Sequence, residues 1–67
     1  MTDRFLTRYE VEKMTGISRS ALYRMMAENG FPASYKFGRS NQQGAVRWSE
    51  NEIRQWISER PRYQPDA

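Results

Sequence analysis

A chain of 67 residues is one domain at most and lies near the lower limit for folding on a single core. It contains neither cysteine nor histidine, which excludes disulfides and a zinc finger and predicts no structural metal and no cofactor. Short elements, good caps and aromatic packing must hold it instead, with Phe5, Phe31, Phe37, Trp48 and Trp56 as the expected large core pieces. The net charge of +3 is unevenly spread. Arg4, Arg8 and Lys13 cancel Asp3, Glu10 and Glu12. The middle stretch sets Arg19, Arg24, Lys36, Arg39 and Arg47 against Glu28 alone. The last stretch is slightly acidic. No apolar run approaches the roughly 18 residues of a membrane span, and Met1 to Leu6 lacks the apolar stretch of a signal peptide. A cytoplasmic protein with no membrane association is the expectation.

In chain order, Thr7-Arg8-Tyr9-Glu10 is a capping box: Thr7 accepts from a backbone N–H while Glu10 reaches back. Leu6 and Val11 flank it as a hydrophobic staple, and Gly16 supplies a left-handed stop, so a first helix is predicted over 8–14. Ser18 caps a second helix, with Ile17 and Leu22 as its staple. Ala21, Leu22, Met25 and Met26 form its apolar stripe, and Asn29-Gly30 followed by Pro32 ends it. Ser34 to Phe37 and Ala45 to Trp48 alternate polar with apolar residues, which predicts a hairpin with its apolar side chains turned inward. The polar loop between them, Gly38 to Gly44, is bounded by glycines. Ser49-Glu50-Asn51-Glu52 is another capping box, Trp48 and Ile53 its staple, and Ile53, Trp56 and Ile57 the buried face of a third helix over 50–59. Pro61 limits that helix. Residues 1–60 form the expected domain and 61–67 an expected disordered tail.

Only Thr15-Gly16-Ile17 separates the first two helices, a sharp turn with glycine at its centre, which is the helix-turn-helix spacing. The predicted fold is therefore mainly α with a small β-hairpin: a winged helix-turn-helix of three helices and a two-stranded wing. In such a unit the start of the second helix faces the major groove. That nominates Ser18, Arg19, Ser20, Tyr23 and Arg24 for contact with double-stranded DNA, with the Ser18 oxygen engaged as a cap. The wing nominates Lys36, Arg39, Ser40, Asn41, Gln42 and Arg47. Nine of the eleven basic residues are arginine, the better residue for bidentate guanine and phosphate contacts.

A wider pattern accompanies these features: Arg4-Phe5-Leu6, Val11, Thr15-Gly16-Ile17-Ser18-Arg19-Ser20, Leu22-Tyr23, Phe31-Pro32, Lys36, Gly38-Arg39, Val46-Arg47-Trp48, Glu52-Ile53 and Trp56. It resembles the AlpA-type prophage regulators, which overlap with small phage excisionases and with MerR-like DNA-binding domains, and the resemblance covers residues 4 to about 60. It implies a prophage or mobile-element protein that binds promoter or attachment-site DNA. Such a protein acts as a transcription regulator or as an excisionase, with an integrase as a possible partner and with self-association on repeated sites. Two departures stand out: the loop from Arg39 to Gly44 is longer than the family's usual wing, and Glu12 occupies a position where a small residue commonly packs against the second helix.

An enzyme is a poor fit. There is no histidine for acid–base work, Glu10 and Glu52 are spent on caps, and Glu12, Glu50 and Glu59 fall on polar faces. The glycine-bounded loop lacks the Lys-Ser/Thr pair of a phosphate-binding loop. RNA recognition lacks the paired aromatic motif of an RNA-binding sheet. A small module that regulates a partner protein without touching DNA is the alternative function, and salt dependence separates it from DNA binding.

Overall fold

A computed structural model describes residues 2–38 and 46–65. Its elements run β1 (Phe5–Leu6), α1 (Arg8–Thr15), α2 (Arg19–Ala27), β2 (Tyr35–Lys36), β3 (Val46–Ser49) and α3 (Glu50–Ser58). The three helices fall where the caps put them. Thr7 Oγ1 accepts from the Glu10 N–H at 3.1 Å and the Glu10 carboxylate accepts from the Thr7 N–H at 2.8 Å, so the first capping box is complete. Gly16 stops α1 in the left-handed region at φ 74° and donates to the Glu12 carbonyl. Asn29 takes the same conformation after α2, at φ 60°. There the N–H groups of Asn29 and Gly30 donate to the carbonyls of Met26 and Met25, the crossed pair of a Schellman motif.

The hairpin forms, with Tyr35 opposite Arg47 and Lys36 opposite Val46. A third strand joins it on the other side of β3, with Phe5 opposite Ser49 and Leu6 opposite Trp48. The result is a winged helix-turn-helix in which the two-stranded wing of the sequence reading is extended to a three-stranded antiparallel sheet of order β1-β3-β2. Two residues are too short a run for periodicity to announce β1.

The core is Leu6, Val11, Leu22, Phe31, Trp48 and Ile53, with Met14, Ile17, Met25, Met26, Val46 and Trp56 packed around it half-buried. Two of the expected core aromatics lie elsewhere. Phe5 is 43 % exposed and Phe37 59 %. Leu6 and Trp48, in register with one another, turn with Val46 toward the helices, whereas Phe5 and Tyr35, in register with Ser49 and Arg47, alternate to the opposite face, and Phe37, two residues after Tyr35, follows it there. The inward orientation expected for the hairpin's aromatics is thus reversed on β2. Ile57 is likewise 40 % exposed, so the buried face of α3 is Ile53 with part of Trp56.

The second capping box is only half made. Ser49 Oγ accepts from the Glu52 N–H at 3.1 Å, but the Glu52 carboxylate turns away to accept from the Tyr35 hydroxyl at 2.7 Å. Asp3 supplies the missing acid from 46 residues away: it accepts from the Ser49 hydroxyl and, at 3.1 Å, from the Asn51 N–H. The Glu50 N–H donates to the Arg4 carbonyl at 2.7 Å. The N-terminal segment therefore caps the last helix, and the carboxylate meets the positive end of its dipole. These hydrogen bonds, led by the one from Ser49, hold the Asp3 carboxyl below its ordinary value of 3.8. A depressed carboxyl stabilises the fold above the unfolded pKa and ceases to do so as pH falls through the folded one. Asp3→Ala is expected to lower the melting temperature at pH 7. The gap to the parent should close as pH is taken well below the ordinary carboxyl value of 3.8. Melting curves of both chains across that range check it, and a gap that persists unchanged in acid would assign the loss to something other than the carboxylate.

Candidate nucleic-acid interface

The turn between α1 and α2 is set by local bonds. Thr15 Oγ1 donates to the Val11 carbonyl at 2.8 Å and accepts from the Ile17 N–H at 3.2 Å, while Ile17 drops onto the core. The chain re-enters helix at once through Ser18, whose Oγ accepts from the Ala21 N–H at 3.3 Å, engaged as expected. Leu22, fully buried, fixes the rotation of α2 about its axis. At about 100° per residue, Arg19, Ser20, Tyr23 and Arg24 then share an arc of about 140° opposite Leu22 and Met25. All four are exposed, Tyr23 at 42 %.

The charges on this arc are uncommitted. The ion pairs among the described residues are Arg4 with Glu10 and Glu50, Arg8 with Glu12, and Arg54 with Glu50. None involves Arg19 or Arg24. The first turn of α2 carries no acidic residue, whereas α1 has Glu10 there and α3 has Glu50 and Glu52. The positive end of the α2 dipole is left without an acidic side chain on its own first turn. Glu12, the departure noted above, lies half-buried along α1 and accepts from Arg8 at 2.8 Å.

Lys13 lies in the N-terminal segment whose charges cancel as a sum, and its surroundings set it apart from the other cations there. With Arg8 tied to Glu12, Lys13 is the α1 cation with no ion pair among the described residues. It lies 5.3 Å from the Tyr9 ring, and both border the shallow hollow that also includes Gly16, Ile17 and Ser18. The i to i+4 spacing of Arg8 and Glu12 was the signal that removes Arg8 and leaves Lys13 over.

On the wing, Lys36 is exposed at the end of β2, with no ion pair among the described residues. Arg47 is half-buried, and its Nη1 donates back to the Val46 carbonyl at 2.8 Å. Arg39, Ser40, Asn41 and Gln42 lie outside the described residues. The wing is held relative to α2 by two indoles acting on the connector between them. Trp56 Nε1 donates to the Gly30 carbonyl at 2.9 Å and Trp48 Nε1 to the Pro32 carbonyl at 3.1 Å. Between them Phe31 meets Trp56 edge-on, with ring centroids 4.7 Å apart. Arg60 covers Trp56 at 4.4 Å.

Among the described residues no group of His, Cys, Asp and Glu is arranged to hold a metal, and no helix is long and apolar enough to cross a membrane. The fold and this exposed basic helix define the class: a small winged helix-turn-helix protein. The model of the family described as prophage CP4-57 regulatory protein (AlpA) matches residues 4–61, and the chain belongs to that family of phage regulatory proteins. No curated protein and no solved structure matches it.

Proposed function

We propose that this chain regulates a prophage or mobile element by binding double-stranded DNA sequence-specifically, with α2 in the major groove. The carrying observation is the outward arc of Arg19, Ser20, Tyr23 and Arg24, whose arginines have no ion-pair partner among the described residues. Membership of a phage regulatory family supports the same reading. Arg19, in the first turn, is assigned to a base edge, where its planar fork suits guanine. Arg24, one turn further along, and Lys13, across the helix-turn-helix, are assigned to phosphates on either side. Lys36, with Arg39, Ser40, Asn41 and Gln42, is assigned to the flanking backbone or the adjacent minor groove, while Arg47, half-buried and bonded back to its own strand, is left out of the contact set. Ser18 acts through its cap, which holds the first turn in place. The DNA is promoter or attachment-site sequence, and an integrase is the protein partner in an excision role.

The test is selection of duplexes from a random library, followed by titration of the selected site at several salt concentrations. Binding should weaken steeply with salt, each neutralised phosphate contributing about −0.9 to the logarithmic slope. Arg24→Ala should flatten the slope by about one, with an unchanged melting temperature because the side chain is exposed. Failure to enrich any duplex, or salt-independent binding to a protein instead, would transfer the chain to the class of protein-interaction modules.

A further inference from the structure

The face of the sheet turned away from the helices carries an exposed aromatic cluster that the DNA reading does not use. Phe5 stands at its centre, edge-on to Tyr35 with centroids 5.5 Å apart and to Phe37 with centroids 5.0 Å apart. Phe5 and Tyr35 are each 43 % exposed and Phe37 59 %. A chain with so few large apolar residues gives up core by leaving three rings outside, and contiguous exposed apolar surface of this kind marks contact sites. The charges at the rim state what fits. The Tyr35 hydroxyl donates to Glu52, and Asp3 lies close enough to bear electrostatically on the same hydroxyl, while Ser49, the register partner of Phe5, donates to Asp3. Neither carboxylate has an ion-pair partner among the described residues. Arg47 shares the face, half-buried and bonded to the backbone of its own strand. Aromatic rings rimmed by carboxylates repel a polynucleotide and attract cationic side chains, whose stems lie on ring faces while their charge reaches the acids.

We propose that the Phe5, Tyr35 and Phe37 face, with Asp3 and Glu52 at its edge, docks an arginine- or lysine-bearing segment of a partner protein. The recognised feature is a cation on an aliphatic stem. Arginine is favoured because its planar group stacks on an aromatic face. This surface is separate from the α2 arc, so partner and DNA can be held together.

The probe is a blocked Leu-Arg-Leu-Arg peptide titrated into the isotope-labelled full chain, followed through the ring resonances of Phe5, Tyr35 and Phe37. A Leu-Glu-Leu-Glu peptide and a single-stranded oligonucleotide serve as counter-ligands. Saturable shifts confined to the three rings are expected with the arginine peptide alone. Glu52→Gln keeps an acceptor for Tyr35 but removes the charge, and should weaken binding by about two- to fivefold. Phe37→Ser, at an exposed position, should weaken it further. Equal binding of the acidic peptide, ring shifts caused by the oligonucleotide, no saturable shift with the arginine peptide, or full affinity in Glu52→Gln would each overturn the proposal.

Discussion

Trp48→Ala is expected to leave the chain largely unfolded at room temperature. Trp48 is completely buried on the central strand, opposite Leu6, with its indole N–H bonded to the Pro32 carbonyl. Truncating a large core aromatic costs about 3–5 kcal/mol, and a core of this size seldom supplies more than about 3–5 kcal/mol in all. The loss also strands the Pro32 carbonyl. Phe37→Ala provides the contrast: the same kind of truncation at a ring 59 % exposed should leave a folded chain with a slightly lowered melting temperature. Trp56→Ala falls between the two because its ring is half-buried. Denaturant melts and amide NMR spectra of the three variants check the order. A well-dispersed spectrum from Trp48→Ala, or a collapsed one from Phe37→Ala, would contradict the core described above.

Arg19→Ala should flatten the base preference at one position of the selected site, whereas Lys36→Ala should weaken all sites roughly alike. A side chain in the first turn of the major-groove helix reaches a base edge, and losing a bidentate contact to guanine costs about 1–3 kcal/mol, roughly fivefold to a hundredfold or more in affinity. An exposed lysine at the end of a wing strand meets phosphate, which carries no sequence information, and its loss should reduce the salt slope by about one. Both variants are titrated against single-base variants of the site at two salt concentrations. If Lys36→Ala changes base preference and Arg19→Ala does not, the wing reads the sequence and the helix positions it.

The helices were legible because caps are local: Thr7 with Glu10, Gly16, Ser18 and Ser49 each act within four residues of themselves. The α2 arc followed, since Leu22 and Met25 fix which side is buried and the exposed residues are read off by rotation. The sheet was harder. Alternation divides Tyr35, Lys36 and Phe37 between two faces without saying which one meets the helices. That is decided by Trp48, whose register with Leu6 joins residues 42 apart in sequence. Glu52 shows the same limit at a single residue: spacing predicted a reciprocal cap, but a tyrosine hydroxyl 17 residues away took the carboxylate and Asp3 took over the capping. The α1 charges are read correctly as a sum, but a sum does not show how they pair. Counting them as a sum hid that Arg8 and Glu12 neutralise one another and that Lys13 does not share in it.

The two indole N–H groups bonded to the Gly30 and Pro32 carbonyls set a fixed gauge between the end of α2 and the start of β2. Each carbonyl is claimed by a different element, one by α3 and one by β3, so the connector is pinned at two points only two residues apart. An insertion or deletion between Gly30 and Pro32 would shift at least one carbonyl out of reach of its indole and turn the hairpin out of phase with the helix. A change in length there would therefore displace the wing's surface relative to α2 without altering the identity of a single residue on either.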